Sequence, residues 1–319
     1  MKHMALYAMV LIAAAGLASA PAAQAWGCKG HQTVALIAEK HLTPEAKQMV
    51  QTLLNGNPID PALKRYCGDA IRDAMADAST WADDIRSQAK NGPLHYIDIP
   101  RGARRAPLSE FCGKDGCVTK AIEDDLAIVK DKNTDAAKRA EAMRYLIHFV
   151  GDLHQPLHAT TNNDEGGNCV PVKYLRRKVH EHDHGYSPNL HSLWDTAIPE
   201  RDMEGADPAE YAETLEDAFA PQIEAWQEAG IHVEEWAWES HEYGEKSVYG
   251  ELAPKISIEP PVAVQSCTDD NNIGERLLSQ HIAAGAAYQE KAGPVVEKRI
   301  AQAGVRLAMI LNDAAKITP

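Results

Sequence analysis

The chain has 319 residues, 45% of them hydrophobic and 24% charged, and its formal net charge is −14 at pH 7. The length is large for one domain but within the range of compact enzymes, and the sequence contains no linker or internal repeat that would divide it. The acidic balance would ordinarily argue against a polyanionic partner, although bound metal ions can make a pocket positive inside an acidic protein.

The N-terminus carries the pattern of a secretory signal peptide. A short positive start precedes an apolar stretch from Ala5 to Ala18, and Ala23-Gln24-Ala25 is a small-residue cleavage signature. The apolar stretch is shorter than the roughly 20 residues that span a bilayer. We therefore expect cleavage of residues 1–25 before Trp26. The remaining residues 26–319 would form one secreted or periplasmic domain that does not insert into a membrane.

All six cysteines remain after this cleavage. An even number of cysteines in an oxidising compartment favours disulfides over free thiols. Cys112 and Cys117 bound a short loop and predict one bridge, whereas the other four cysteines allow three pairings among which the sequence does not choose. A thiolate zinc site is the competing interpretation, but the sequence lacks two pairs at C-x-x-C spacing. The six are Cys28, Cys67, Cys112, Cys117, Cys169 and Cys267.

Apolar periodicity in the first half of the chain predicts helices. Residues 30–42 form an early helix, and Thr43-Pro44-Glu45 has the N-cap and N1-proline order of the next helix start. Gly92-Pro93 interrupts the pattern before a short irregular segment. Thr134-Asp135 can cap a long helix that Pro156 ends.

Similar helical patterns cover residues 117–131, 207–227 and 273–313. Alternating β-branched residues are scarce apart from residues 170–174, which allow one small β-hairpin. The sequence therefore predicts an all-α fold, a single-domain helical bundle.

Eight histidine and aspartate residues have the character of metal ligands. Two pairs, His148 with Asp152 and His191 with Asp195, have i, i+4 spacing, which puts the side chains about 40° apart in azimuth and lets both reach one ion. One such pair alone is more typical of an ordinary hydrogen bond, but two pairs in one chain indicate a metal cluster. The eight are too many for one zinc ion: His31, Asp83, His95, His148, Asp152, His158, His191 and Asp195.

Trp26 would bind a metal ion through its backbone rather than through its indole ring. A free α-amino group and the carbonyl of the same residue form a five-membered chelate with a metal ion once the amine loses its proton. The ordinary pKa of this amine is about 7.7 to 8.0, so deprotonation beside a dication requires little free energy. The alternative is a tryptophan that only packs. His154, six residues beyond His148, lies on another helix face and is interpreted as structural.

Seven ordered motifs resemble one family over essentially the whole mature chain. They are Trp26-Gly27…Gly30-His31, Trp81-Ala82-Asp83, His95-Tyr96-Ile97-Asp98, His148-Phe149-Val150-Gly151-Asp152, Gln155-Pro156-Leu157-His158, Gly166-Gly167-Asn168 and Asn189-Leu190-His191…Trp194-Asp195. The chain resembles the zinc-dependent single-strand nucleases and 3′-nucleotidases, which are related to bacterial zinc phospholipases C. The resemblance implies an all-α fold with three zinc ions at the bottom of a cleft.

The resemblance also assigns ligands to each ion. It implies a first zinc held by Asp83, His95, His148 and Asp152, and a second held by His158, His191 and Asp195. It implies a third held by the amine and carbonyl of Trp26 with His31, and Asp152 would bridge the first and third ions.

The activity that the resemblance implies is hydrolysis of single-stranded DNA and RNA to 5′-phosphate products. Zinc would supply the nucleophile, because it lowers the pKa of a bound water to about 7. Asp98 is the candidate for orienting the water or contacting a base, and Arg86 for binding the charged transition state. Tyr96 could stack on an unpaired base and Asn168 could hydrogen-bond a base edge. The alternatives are a solvated surface position for Asp98 and Arg86 and core packing for Tyr96.

Some features depart from the family pattern or lie outside it. The stretch between His31 and Asp83 is long and contains Cys67. The tract His180-Glu181-His182-Asp183-His184 is interpreted as a solvated loop rather than a metal site. Trp236, Trp238 and Tyr243 have the spacing of core residues.

Two other functions compete with the nuclease. A zinc phospholipase C would use the same scaffold on phospholipid headgroups, but Tyr96 and Asp195 favour the nuclease branch. A non-catalytic zinc-storage protein would need a closed cluster, whereas the three ligands at the second ion leave a position open. Without repeats or heptads, the sequence predicts a monomer that acts on single-stranded nucleic acid and nucleotides.

Overall fold

The computed structural model describes residues 26–68, 73–182, 185–259, 267 and 274–316. The predicted signal peptide, residues 1–25, lies outside these residues. The described chain is mainly helical, which confirms the all-α prediction. Its helices are α1 (Gly27–Lys40), α2 (Pro44–Gly56), α3 (Ala74–Ala78), α4 (Trp81–Asp84), α5 (Arg86–Ala89), α6 (Val118–Lys130), α7 (Ala136–His154), α8 (Leu190–Ser192), α9 (Ile198–Asp202), α10 (Pro208–Glu228), α11 (Val233–Tyr243), α12 (Gly274–Ser279) and α13 (Ala286–Ala315).

Short turns of other helix types connect several of these elements. The 3-10 turns are Gly92–His95, Leu108–Glu110 and Pro156–His158, and the π-helical turns are Leu193–Ala197 and Gly244–Tyr249. The strands are β1 (Lys173–Tyr174), β2 (His180–His182), β3 (Gly185–Ser187) and β4 (Ala283–Ala284).

The predicted helix starts form through side-chain caps. The hydroxyl of Thr43 accepts the Ala46 N–H at 3.2 Å, and Pro44 occupies the first turn of α2, where its missing N–H costs nothing. The Asp135 carboxylate accepts the Ala137 N–H at 2.9 Å at the start of α7. This helix ends at His154, before Pro156, as predicted.

The long helix α13 forms the centre of the core. It packs against α1, α10 and α7, and most of its side chains between Val296 and Leu311 are buried. At Gly304, a Cβ atom would lie 2.5 Å from the Cβ of Ile37, so only glycine allows α1 and α13 to approach this closely. This contact fixes α1, which carries His31, against the rest of the bundle.

The predictions for residues 273–313 and 170–174 were partly wrong. Residues 273–313 do not form one helix, because α12 ends at Ser279 and β4 lies between it and α13. The segment is extended there since the Lys173 N–H donates to the Ile282 carbonyl at 2.9 Å, and β1 and β4 pair in parallel. Tertiary pairing therefore overrides the local helical pattern.

The small hairpin exists but lies elsewhere, where β2 and β3 pair in antiparallel fashion. The histidine-rich tract therefore begins as an exposed strand rather than a loop. Residues 183 and 184 of that tract lie outside the described residues.

Three disulfides join the six cysteines. Cys112–Cys117 forms as predicted, and the remaining four cysteines pair as Cys28–Cys67 and Cys169–Cys267. These bridges place the chain among proteins of oxidising compartments. None of the described helices is both long enough and apolar enough to cross a bilayer.

Candidate metal centre and substrate cleft

Helix α7 presents His148 and Asp152 one turn apart on a fully buried face. The Nδ1 of His148 donates to the Ser79 carbonyl at 2.6 Å, so in the neutral ring Nε2 carries a lone pair. That Nε2 lies 3.2 Å from Asp152 Oδ2. The pair therefore directs two acceptor atoms at the same point.

His95 and Asp83 complete this first group. His95 ends the 3-10 turn Gly92–His95, and its Nε2 lies 3.4 Å from Asn91 Oδ1, which leaves Nδ1 as the acceptor. Nδ1 is 2.9 Å from Asp152 Oδ2, 3.0 Å from His148 Nε2 and 3.7 Å from Asp83 Oδ1. The structure thus brings together all four predicted ligands of the first ion.

His31 lies on the other side of Asp152. Its Nε2 is 3.2 Å from Asp152 Oδ1, and its ring stacks on the His148 ring at 4.1 Å between centroids. A Cβ at Gly151 would lie 2.8 Å from His31 Nδ1, so the glycine allows α1 to seat His31 against α7. The two oxygens of Asp152 therefore face two different groups, as a bridging carboxylate would.

Trp26 precedes α1 and is completely buried. Its backbone has φ 35° and ψ 41°, and its carbonyl accepts the His31 N–H at 3.1 Å. A Cβ at Gly30 would lie 2.8 Å from the Trp26 Cβ, so the indole folds back over the first turn of its own helix. This packing holds the backbone of residue 26 beside His31, and both predicted roles of Trp26 are compatible with it.

His158, His191 and Asp195 form the second group. The Nδ1 atoms of His158 and His191 donate to the carbonyls of His95 and Gly166, each at 2.6 Å. Their Nε2 atoms face each other at 3.1 Å, and His191 Nε2 is 3.2 Å from Asp195 Oδ2.

Because both rings donate through Nδ1, each neutral ring carries a lone pair on Nε2, and the two lone pairs face each other at 3.1 Å and repel. A cation between them turns this repulsion into attraction. The other Asp195 oxygen accepts from Gln155 Nε2 at 2.5 Å, so the carboxylate is held in place from behind.

The residues fit metal ions. Sets of His and Asp atoms lie within 4.8 Å of one another in both groups and could each hold an ion. Among the described residues, buried atoms without a hydrogen-bond partner include both ring nitrogens of His31, Asp83 Oδ1 and Asp152 Oδ1. Such atoms cost free energy unless something compensates them. The nitrogen and carboxylate donors suit zinc.

Burial sets the protonation of most of these ligands. Burial lowers the pKa of His31 and His158, and it lowers the pKa of His95 and His191 to about 4, so these rings are neutral at pH 7. His148 differs, because Asp152 and Asp83 outweigh burial and raise its pKa to about 9. The two carboxylates thus attract positive charge at this point of the site.

A cleft of about 240 Å³ opens beside the second group. The two predicted catalytic residues, Asp98 and Arg86, and the two predicted substrate-binding residues, Tyr96 and Asn168, all contribute to its wall, and their individual roles stay predictions. The full lining is Arg86, Tyr96, Asp98, Leu157, His158, Glu165, Gly166, Asn168 and His191. A larger cavity of about 640 Å³ lies beside α2 and the 57–68 segment, and no predicted metal ligand lines it.

The family comparison agrees with this geometry. The family model described as S1/P1 Nuclease matches residues 26–316. The chain belongs to the S1/P1 nuclease family. It is therefore a phosphodiester hydrolase, and the phospholipase C alternative is not favoured.

Curated relatives of this S1/P1 nuclease span most of its length. Endonuclease 4 of Arabidopsis thaliana is 30% identical, covering 90% of this chain and 88% of the relative. Nuclease P1 of Penicillium citrinum is 29% identical over 90% and 97% of the two chains. Nuclease S1 of Aspergillus oryzae is 27% identical over 94% and 96%.

The cleft of this S1/P1 nuclease has a mixed electrostatic character. Partial burial of the Asp98 carboxyl in the cleft wall, with smaller contributions from the negative charges of Asp164 and Glu165, raises its pKa to about 6, while part of the side chain still reaches solvent. Arg86 places Nη1 3.9 Å from Asp83 Oδ1, between the cleft and the first group. The Asn168 amide donates to the Glu165 carbonyl at 2.8 Å, which leaves its oxygen for other donors.

Sequence reasoning missed the groups that orient the ligands. Ser79, Asn91 and Gly166 each hold one ring nitrogen of a ligand histidine in place. Only Asn91 had a detectable signal, its spacing of four residues before His95. Glu165 was also missed, because an acidic residue beside two glycines is typical of any exposed turn.

His154, Trp236 and Trp238 are buried, as interpreted from the sequence, whereas Tyr243 is only half-buried. His154 donates through Nδ1 to the Val150 carbonyl at 2.7 Å and accepts from Arg306 at 2.9 Å, away from the metal groups. Trp236 and Trp238 are buried in the core. Tyr243 packs under the Arg299 guanidinium at 5.2 Å.

Proposed function

We propose that this S1/P1 nuclease is a zinc-dependent endonuclease that hydrolyses single-stranded DNA and RNA to 5′-phosphate products and also removes the 3′-phosphate of mononucleotides. The observation that carries the proposal is the opposition of His158 Nε2 and His191 Nε2 at 3.1 Å beside a cleft walled by Tyr96 and Arg86. An aromatic ring and a guanidinium next to a metal group suit a base attached to a phosphate.

Three zinc ions would occupy the two groups and the Trp26 terminus. The first would be held by Asp83, His95, His148 and Asp152, and the second by His158, His191 and Asp195. The third would be held by His31, Asp152 and the amine and carbonyl of Trp26. When bound, zinc supplies Lewis acidity and lowers the pKa of water to about 7.

The protein side chains orient the substrate around this centre. Arg86 offers a planar fork of donors to the phosphate oxygens, and its charge stabilises the negative charge that develops there. Asp98 accepts a proton or a hydrogen bond when it is ionised, which its pKa of about 6 allows at neutral pH. Tyr96 stacks on the base, so only a base free of its partner can enter.

The same proposal includes the mature form of the protein. Removal of residues 1–25 would leave residues 26–319 as an exported, monomeric catalytic domain. The three disulfides support export, because such bridges persist in oxidising compartments.

An assay of the purified mature protein on four substrates tests the function. We expect cleavage of single-stranded DNA and RNA, little cleavage of duplex DNA and none of phosphatidylcholine vesicles. Chelation should abolish nuclease activity and zinc should restore it. Cleavage of lipid without cleavage of nucleic acid would overturn the proposal, and zinc binding without any hydrolysis would indicate a storage protein.

A further inference from the structure

The loop that supplies Asn168 to the cleft has an unusual backbone. Asn163, Glu165, Gly166 and Gly167 have φ values of 60°, 54°, 59° and 85°, so four of five consecutive residues are left-handed. Non-glycine residues in this region are strained unless the surroundings hold them there. Some interaction must therefore stabilise this turn.

Asp164, the remaining residue of the five, provides that interaction. Its side chain is completely buried, and Oδ1 accepts the N–H groups of Asn162 and Gly167, both at 3.0 Å. Its second oxygen accepts the hydroxyl of Tyr249 at 2.7 Å. One carboxylate thus ties both ends of the turn together and anchors them to a distant element.

Tyr249 is a rigid anchor. It ends the π-helical turn Gly244–Tyr249 and is 1% exposed. The Arg101 guanidinium lies 4.5 Å from the Tyr249 ring centroid, and the backbone N–H of Arg101 donates to the Thr161 carbonyl at 2.9 Å. Burial and the neighbouring Asp164 raise the pKa of Tyr249 well above its usual range, so its hydroxyl keeps the proton that it donates.

The conformation of the turn determines where the Gly166 carbonyl points. This carbonyl accepts the Nδ1 proton of His191 at 2.6 Å, which leaves Nε2 of His191 as the acceptor that faces the second group. A Cβ at Gly166 would lie 2.6 Å from the Leu157 carbonyl oxygen, so the turn sits tightly against the segment that carries His158. A relaxed turn would withdraw the carbonyl and free the His191 ring to rotate or change tautomer.

We propose that Asp164, anchored by Tyr249, is a positioning residue that fixes His191 for metal binding and Asn168 for substrate. The inference rests on the proposed function in taking His191 as a zinc ligand and Asn168 as a substrate contact. Groups that orient metal ligands from behind change metal affinity or activity by about 10- to 100-fold when removed.

Three variants and a matched control test this role. Tyr249→Phe removes the hydrogen bond between Tyr249 and Asp164. Asp164→Asn keeps the shape of the side chain but replaces the oxygen that accepts the Tyr249 hydroxyl by an amide NH2. Asp164→Ala removes all three hydrogen bonds of the carboxylate. The control is Tyr174→Phe, since Tyr174 is also buried and its hydroxyl lies 2.5 Å from Gln289 Oε1 and 3.4 Å from the Ala197 carbonyl oxygen, neither of which belongs to a predicted metal ligand. Zinc affinity is measured by competition with a chromogenic chelator, and kcat and KM are measured on single-stranded DNA.

We expect zinc binding at one site to weaken by about 10- to 100-fold in Asp164→Ala and by a smaller factor in Tyr249→Phe and Asp164→Asn, with no change in Tyr174→Phe. Excess zinc should restore part of the lost kcat, which a purely structural role would not allow. If Asp164→Ala fails to fold, the two milder variants decide.

Unchanged zinc affinity in variants with lowered Tm would overturn the inference, as would equal weakening in Tyr174→Phe. The failure of the proposed function gives a different result. A wild-type protein that bound zinc but cleaved no nucleic acid would refute the nuclease while the affinity comparison still tested Asp164. A wild-type protein that bound no zinc would refute both.

Discussion

Among the described residues that line the cleft, Tyr96 is the only phenylalanine, tyrosine or tryptophan. It is half-buried, and it follows His95 directly, so its position is fixed by the same 3-10 turn that directs His95 at the first group. Its backbone carbonyl accepts the Val118 N–H at 3.0 Å, which ties the turn to α6. The ring is therefore held at a defined distance from the metal groups while one part remains accessible to a base.

Replacement of Tyr96 by alanine should raise the KM for single-stranded DNA about 5- to 150-fold, because a stacked base contributes about 1 to 3 kcal/mol. Steady-state kinetics on a short oligonucleotide measure the change. Tyr96→Phe keeps the ring and should remain within about twofold of wild type. Equal KM values for the alanine variant and wild type would show that Tyr96 only packs.

The residues that meet in the two candidate metal groups were predictable from the sequence, but what orients them was not. The i, i+4 pairs His148/Asp152 and His191/Asp195 follow from helix geometry, which the sequence encodes locally. The atoms that fix the tautomers of His148 and His191 are the carbonyls of Ser79 and Gly166. Every residue has a carbonyl, so only the fold shows which one faces a ring.

Glu239 joins α11, α7 and α13 through a buried charge network. Its carboxylate lies 2.8 Å from Arg299 and 2.6 Å from Arg306, and Arg306 in turn donates to His154. Burial acts to raise the pKa of Glu239, but the two guanidinium groups outweigh it and hold that pKa well below its usual range. Arg299 is fully buried, so its charge depends on this partner.

Glu239→Gln should lower the free energy of unfolding by about 3 kcal/mol at pH 7, since it leaves a buried arginine without its counter-charge. Because folding lowers the pKa of Glu239, its stabilisation is present above the unfolded-state value of about 4.3 and is lost as the pH falls below it. The variant should therefore show a shallower loss of stability between about pH 4.5 and pH 3 than wild type.

Urea unfolding at a series of pH values, with equal zinc in both proteins, measures this difference. Glu242→Gln is the control, because Glu242 forms an exposed pair with Lys246 that contributes little. Parallel pH profiles for wild type and Glu239→Gln would contradict the assigned role.

The Cys28–Cys67 bridge ties the start of α1 to the long segment before Asp83. In that segment, Arg65 Nε donates to Asp84 Oδ2 at 2.6 Å and the Tyr66 N–H donates to Asp84 Oδ1 at 2.6 Å. Asp84 is the neighbour of the ligand Asp83. The extra length of this segment, seen in the sequence as a departure from the family pattern, thus connects the Trp26 end of the site to α4.

Removal of this bridge by Cys28→Ser with Cys67→Ser should lower the free energy of unfolding by about 4 kcal/mol. The bridge closes a separation of 39 residues and therefore restricts the entropy of the unfolded chain. The matched control, Cys112→Ser with Cys117→Ser, opens a separation of 5 residues and should cost only about 2 kcal/mol. Denaturant unfolding under non-reducing conditions measures both. A larger loss for the short loop would contradict this ranking.

Helix starts were the most predictable parts of the fold. Thr43-Pro44 and Asp135 define the starts of α2 and α7 through short-range chemistry that needs no tertiary contact. The break between α12 and α13 was not predictable, because residues 283–284 become extended only by pairing with β1, more than 100 residues away along the chain. The pairing of the other four cysteines stayed open in the sequence for the same reason, because only the fold brings Cys28 to Cys67 and Cys169 to Cys267.

The whole centre is an assembly of distant segments inside an acidic protein. The eight predicted His and Asp ligands come from α1, α4, α7, α8, the 92–95 and 156–158 turns and the π-helical turn 193–197. The formal net charge of −14 gives no indication of a site for a polyanion. Bound dications would add positive charge where Asp83, Asp152 and Asp195 alone contribute negative charge, so we expect attraction of a polyanionic substrate to depend on metal binding.

The N-terminus offers the most direct test of this dependence. The Trp26 side chain is completely buried and its backbone lies beside His31 at the edge of the bundle. Only a free amine can join the carbonyl in a chelate, whereas an amide nitrogen within a longer chain is a poor ligand. Zinc occupancy near His31 should therefore depend on where the chain starts.

Protein that begins at Trp26 should bind three zinc ions, and protein with two extra residues before Trp26 should bind two tightly. Elemental analysis after dialysis gives the stoichiometry, and nuclease assays of the same samples should show a loss of activity that excess zinc restores in part. His31→Ala in the native-start protein is the matched control, because it removes a ligand of the same ion without altering the terminus. Three tightly bound ions in the extended protein would mean that Trp26 only packs. The His31→Ala variant would then show whether a third ion binds at His31 without the Trp26 chelate.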